Sequence, residues 1–325
     1  MKIKHLLLTL LIGVVSALPA SAQDEEEHKC SDNCCCAVAS PSIPPISVMG
    51  EHLHHKGGWM VSYRYRNSQM EGLKSGINDI SDIMVYNSYM MSPTDMKMQG
   101  HMIAAMYGLT DNVTIMAMIP YMKVNMGMSD MMGMTSTMNS SGIGDASISA
   151  IFRLWSKNNT QLLLNAGVGI PTGTKEGRGK MGVDENALLP YSMQLGSGSW
   201  SVLPGFTFTH TESKFTIGLQ ASANVKINNN SLGYQLGDVY KSDFWLAYRL
   251  HDIISISTGL NAQKTGQISG KATELNMMMP PMANAINYGA TLVSGNLGNE
   301  CLCAMGKVEK PRIRIGIQYT YPSRC

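Results

Sequence analysis

Sulfur dominates the chemistry available to this chain. It carries 27 methionines and seven cysteines among 325 residues, and 19 of the methionines fall between Met49 and Met138. The densest run is Met126-Gly127-Met128-Ser129-Asp130-Met131-Met132-Gly133-Met134. On a Gly/Ser backbone, spacings of two and three let Met126, Met128, Met131, Met132 and Met134 converge on one soft ion. Thioethers favour Cu(I) or Ag(I), and they stay ligands in an oxidising compartment where thiols do not. The competing reading is that methionine is an adaptable apolar filler. A second group is Cys30 and Cys34-Cys35-Cys36, beside His28. Disulfides are the default for a secreted chain. Adjacent cysteines pair poorly with each other, however, and an odd total leaves one thiol over. The spacing also lacks the paired units of a zinc site. A third group is His52, His54 and His55 beside Glu51, which are either borderline metal ligands or a solvated run. No nucleophile motif or phosphate loop is present. The chain is therefore read as no enzyme, and the only metal its residues call for is Cu(I) or Ag(I).

Strands would position these groups. In the last stretch Ile313, Ile315, Ile317, Tyr319 and Tyr321 alternate with Arg312, Arg314, Gly316, Gln318 and Thr320. Successive side chains on a strand point to opposite faces, so one face is apolar and the other wet. Ten such stretches occur, at 59–66, 98–108, 112–122, 145–155, 161–170, 199–209, 215–226, 243–250, 254–263 and 312–321. Tight polar turns such as Thr110-Asp111-Asn112, Ser156-Lys157-Asn158-Asn159 and Thr211-Glu212-Ser213-Lys214 join alternate pairs. The gaps 67–97, 123–141, 171–198, 227–242 and 264–311 are far longer. Short turns alternating with long loops mark a transmembrane antiparallel up-and-down β-barrel. The economical count is ten strands, or twelve if 185–196 or 276–295 supplies more. An even count returns both chain ends to the periplasmic side.

The remaining composition fits that fold. Lys2, Lys4 and the apolar run from Leu6 to Val15 lead to Ala20-Ser21-Ala22, a secretory signal cut near Ala22. Removing Lys2 and Lys4 takes the formal charge of +2 to zero, so nothing favours a nucleic-acid partner. Charged residues are 15% of the chain, well below the ~25% of soluble domains. The division is 1–22 signal peptide, 23–56 a Cys/His-rich arm that is disordered or plug-like, and 57–325 the barrel. Destined for the outer membrane of a Gram-negative cell, the barrel meets lipid outside. Inside it meets a small hydrophobic solute or a soft metal ion, and the arm offers a surface to a periplasmic partner.

Parity assigns the lumen side. It holds Met60, Arg64 and Arg66 on the first strand, Met116, Met118 and Met122 on the third, and Arg153 on the fourth. Lys226, Asp243, Arg249, Arg312 and Arg314 follow on later strands. On the second strand Met98, Met102 and Met106 can take the same side, although the opposite phase fits nearly as well.

With the strands placed, Gly142-Ile143-Gly144-Asp145, Gly169-Ile170-Pro171-Thr172-Gly173 and Gln194-Leu195-Gly196-Ser197-Gly198-Ser199-Trp200 form an ordered series. In these segments the chain resembles the outer-membrane family labelled the meta pathway of phenol degradation, over about 49–321. The resemblance implies a barrel passing small aromatic or hydrophobic compounds, with no catalytic residues. The methionine and cysteine content departs from that pattern and leaves an aromatic substrate open.

Overall fold

The computed structural model describes residue 45 and residues 48–76, 78–181, 184–251, 254–302 and 312–321. For 251, 254, 299–302 and 312–321 it describes the backbone course alone. Twelve strands form one antiparallel sheet. In chain order they are β1 (Trp59–Glu71), β2 (Met91–Thr110), β3 (Val113–Asp130), β4 (Thr135–Ile143), β5 (Ala146–Lys157) and β6 (Thr160–Ile170). The series continues with β7 (Ser201–Glu212), β8 (Phe215–Lys226), β9 (Val239–His251), β10 (Ile254–Thr265), β11 (Ala290–Leu302) and β12 (Arg312–Tyr321).

All ten expected strands are present, with β4 and β11 added inside expected loops. β4 and β5 share one place in the sheet. β3 pairs with β4 from Tyr121 to Ser129 and with β5 from Val113 to Met118, so Gly144 and Asp145 break a single long return strand. β11 lies between β10 and β12, starting at Ala290 within the second segment considered as an extra strand. Its insertion corrects the expected direction of the last strand. β12 runs parallel in sense to β1, and Tyr321 pairs with Val293 toward the long-loop end. The other candidate segment, 185–196, stays out of the sheet; Arg178–Met181 and Asp184–Leu188 form a separate small hairpin.

Local chemistry explains the tight turns. Asn158 and Asn159 both have positive φ (46° and 63°), as a two-residue hairpin of the primed type requires, and asparagine tolerates that region best after glycine. The outward rows are apolar and exposed, as at Val61, Tyr63, Ile103, Tyr107, Ile119, Phe215, Phe244 and Leu260. On β2 and β3 the apolar row ends at His101 and Tyr121, which face each other across the ladder. Beyond them the outward positions turn polar, to Gln99, Lys97, Lys123 and Asn125. Tyr63, Tyr65, His101 and Tyr121 cluster at that boundary, and the Tyr63 hydroxyl lies 2.7 Å from His101 Nδ1. Amphipathic rings at such a level mark a membrane–water interface.

Inside, Trp245 on β9 is fully buried and lies across from Gly218 on β8. A Cβ at Gly218 would stand 2.1 Å from the indole Cζ2. Gly218→Ala must therefore displace the ring, and overpacking of this kind costs about 1–3 kcal/mol. The expected outcome is a lower urea midpoint for the lipid-folded protein, and an unchanged midpoint would contradict the packing.

Candidate functional site

One inner wall is made of methionine. From Met96 to Met128, β2 and β3 carry nine methionines, all at even positions, while the outward row uses Ile103, Ala105, Tyr107, Ile115, Ala117, Ile119 and Tyr121. The register makes this a ladder. Successive inward rungs pair Met96 with Met126, Met98 with Val124, Gly100 with Met122, Met102 with Pro120, Ala104 with Met118 and Met106 with Met116. Each rung holds at least one thioether. At two residues per step and ~3.3 Å per residue, the six rungs extend about 33 Å along the wall. Neighbouring strands widen both ends. Met138 on β4 lies opposite Met126, and Met60 on β1 lies opposite Met106. At the long-loop end Met181, Met193, Met279 and Met282 fold onto the same cluster from the loops.

The inner face from β7 to β11 is mainly polar, with Trp245 and Ala247 as its apolar patch. Thr207, Thr216, Gln220, Asp243, Asn261, Ser294 and Asn296 are buried there. Asn261 Nδ2 donates to Asp243 Oδ1 at 2.8 Å, and Gln220 Nε2 donates to Thr207 Oγ1 at 2.8 Å. These bonds satisfy groups that would be costly to leave unpaired.

Residues 48–56, which precede β1, pack along the inner face of the sheet. Val48 is completely buried against Trp245 and Ala247. The Arg64 guanidinium donates to the Val48 carbonyl at 3.1 Å, and Gln220 Nε2 donates to the Met49 carbonyl at 2.8 Å. Gly50 adopts φ +67°, and a Cβ there would press on Asn165 and Ile151 at 3.2 Å. Leu53 packs against the cluster of Met106, Met116, Ile151 and Leu163 at the short-turn end of the ladder. The His54 amide then donates to Thr114 Oγ1 at 2.9 Å, and the Lys56 amide to Asp111 Oδ1 at 2.9 Å.

The other end is covered by loops. Asp145, at the break between β4 and β5, is the staple. Its Oδ1 accepts from the Gly173 amide at 3.1 Å, and its Oδ2 accepts from the Ser197 amide at 2.9 Å and the Ser197 hydroxyl at 2.5 Å. Lys226 Nζ donates to the same Ser197 Oγ at 3.2 Å. Gly173 and Gly196 make this possible, since a Cβ on Gly196 would stand 2.2 Å from the Gly173 carbonyl oxygen. The three glycine-rich segments singled out in the sequence thus meet at one node. Above it Tyr191 packs edge-on against Tyr234 and Tyr288, at ring separations of 4.7 and 5.7 Å. Desolvation holds the Tyr288 phenol above its ordinary range and pushes Tyr234 up to about 12. A raised phenol pKa favours the folded lid while the unfolded tyrosine is neutral, so that stability is lost as pH rises from 10.0 toward about 12. Tyrosinate absorbance is expected to show these rings titrating late and together with loop unfolding; titration at the free value would contradict the packing.

The structure separates the residues the sequence grouped. Met126 and Met128 are buried on the inner wall, whereas Met131, Met132 and Met134 stand 71%, 85% and 63% exposed at the β3–β4 turn. The five do not converge, because two ride on a strand face and three on its turn. His52 and His54 stack edge-on at 5.0 Å, and His52 Nδ1 lies 3.3 Å from Glu51 Oε1. His55 points to solvent, 3.8 Å from Asp111. Among the described residues no three His, Cys, Asp or Glu side chains form a metal cluster. Cys30, Cys34, Cys35 and Cys36 lie outside the described residues, as do the side chains of Arg312 and Arg314.

Met60, Arg64, Met116, Met118 and Met122 sit on the less exposed face of their strands, and Lys226 and Asp243 are buried. Arg66 is exposed and donates to Ser68, Arg153 is exposed beside a bulge, and Arg249 reaches the Ser213 carbonyl at 3.0 Å. The inward-folded methionines Met181, Met193, Met279 and Met282 escape a period-based reading, since they lie outside the strands of the main sheet. Their only signal is composition.

A twelve-stranded antiparallel sheet with an apolar outer band, short turns at one end and a filled concave face has the architecture of an outer-membrane β-barrel protein. The chain belongs to the family described as "Putative MetA-pathway of phenol degradation", whose model matches residues 100–276. Its fold is similar to that of an outer membrane channel from Pseudomonas putida F1. The TM-score is 0.57 at 16% identity, over 84% of this chain and 91% of that one. No curated protein matches the chain.

Proposed function

We propose that this protein is an outer-membrane channel for small, mainly hydrophobic or aromatic solutes. The observation that carries the reading is the division of the interior into a thioether wall and a hydroxyl and amide wall. An aromatic compound with one polar group can lie against methionine on one side and bond to Thr207, Gln220 or Asn261 on the other. Ligand sites of this kind combine an apolar lining with a few placed polar groups. Membership of the phenol-degradation family and the likeness to an outer membrane channel support the same assignment. The short turns then face the periplasm, and the plug enters from that side after cleavage of the leader near Ala22. Solute passes when the plug and the stapled loops move, with no chemical step assigned to the protein. Liposome swelling tests the reading: phenol-sized aromatics are expected to enter proteoliposomes faster than sugars of similar mass. Equal exclusion of both, with the plug removed, would defeat it.

A further inference from the structure

We propose that the methionine ladder is a transfer track for a monovalent soft cation, Cu(I) or Ag(I), running between the loop end and the plug. The proposal stands apart from the solute reading, since it requires only one wall of the barrel and not an open lumen.

The register carries it. Met96, Met126 and Met138 lie side by side on three adjacent strands, and Met60, Met106 and Met116 do so near the short turns. Directly opposed residues have Cβ atoms about 4.5–5.5 Å apart. The three rotatable bonds of methionine let neighbouring thioethers turn toward a common point. Between the two trios no rung lacks sulfur, so an ion passes from one thioether to the next in steps of about 7 Å. Thioether sulfur selects Cu(I) among biological cations. The ligands are neutral, so a single positive charge is the most such a wall can accept, since burying an uncompensated dication is far more costly.

The one-sided distribution separates this from apolar filling. A residue chosen only for greasiness would also serve on the lipid face. Where these strands meet lipid they use isoleucine, alanine and tyrosine, and keep Met102, Met106, Met116 and Met118 inside. Met126 and Met138 are 2% and 1% exposed, so sulfur is placed where solvent does not compete for the ion.

The test uses the full mature protein in liposomes, with Ag(I) as the flux probe and anaerobic Cu(I) as the spectroscopic one. The combined Met96→Leu, Met126→Leu and Met138→Leu variant nearly conserves volume. It is expected to lower Ag(I) uptake at least tenfold, while circular dichroism and heat-modifiable migration show the barrel folded as in the parent. Met131→Leu, Met132→Leu and Met134→Leu together are expected to leave Ag(I) uptake unchanged. In selenomethionine-labelled protein, Cu(I) absorption spectra should show selenium neighbours that the inner triple variant loses, a signal cysteine cannot produce. Should the triple fail to fold, Met126→Leu alone carries the same comparison. Absence of Ag(I) uptake in the parent, equal uptake in parent and inner triple, or a copper shell without selenium would each overturn the track. Loss of aromatic permeation with Ag(I) uptake intact would instead remove the solute reading.

Discussion

Asp145→Ala is expected to make openings of the proposed channel far more frequent. The carboxylate accepts three hydrogen bonds, from the Gly173 amide and from the amide and hydroxyl of Ser197, and these tie the loops after β6 to the strand break. Hydrogen bonds to a charged group contribute roughly 1.5–3 kcal/mol each. Water recovers part of that when the loop lifts, leaving a net loss of about 2–4 kcal/mol for the set. Since 1.4 kcal/mol is a factor of ten, the open population rises about thirtyfold to several hundredfold. Single-channel recording in planar bilayers reads this as open probability. Asp145→Asn keeps one acceptor oxygen and loses the charge, so its effect should fall between. An Asp145→Ala channel that stays closed like the parent would show that the node does not hold the lid.

Removing the segment before β1, through residue 54, should have the larger effect on conductance itself. Val48 is sealed against Trp245, two wall side chains hold the carbonyls of Val48 and Met49, and Leu53 rests on the cluster of Met106, Met116, Ile151 and Leu163. With that segment gone the space between the walls is expected to fill with water and pass ions continuously. Arg64→Met combined with Gln220→Leu removes only the two donors. It should give frequent, short openings because the apolar seat of Val48 remains. Unaltered conductance after the deletion would mean that the plug does not block the path.

These two devices differ in how visible they were in the sequence. The alternating strands were legible because lipid outside and water inside impose a two-residue period, as in Phe215 to Val225 on β8. β4 was not, since Thr-Ser-Thr-Met-Asn-Ser-Ser-Gly-Ile lies beyond the polar turn of the outward rows and meets no lipid there. β11 was blurred by Gly295 and Gly298, which leave gaps in both rows. Missing it reversed the expected direction of β12. The Asp145 node was present in the sequence only as three separate glycine-rich segments, and nothing in their spacing states that they meet. The inward phase of Met116, Met118 and Met122 followed from parity, but the unbroken ladder depends on the pairing of β2 with β3. Register of that kind is a relation between strands, and one strand's pattern does not contain it.

Every role proposed for the interior requires that lipid, and no second protein layer, cover the outward rows. Phe244 and Trp245 are consecutive on β9, the first 41% exposed outward and the second fully buried inward. Two single-tryptophan proteins, one with Trp245 alone and one with Phe244→Trp alone, can be folded into bilayers whose acyl chains carry bromine. Bromine quenches only the indoles it touches. Strong quenching at position 244 with little at 245 is the predicted result. Equal quenching at both positions, or none at 244, would contradict the barrel and with it every role assigned to its interior.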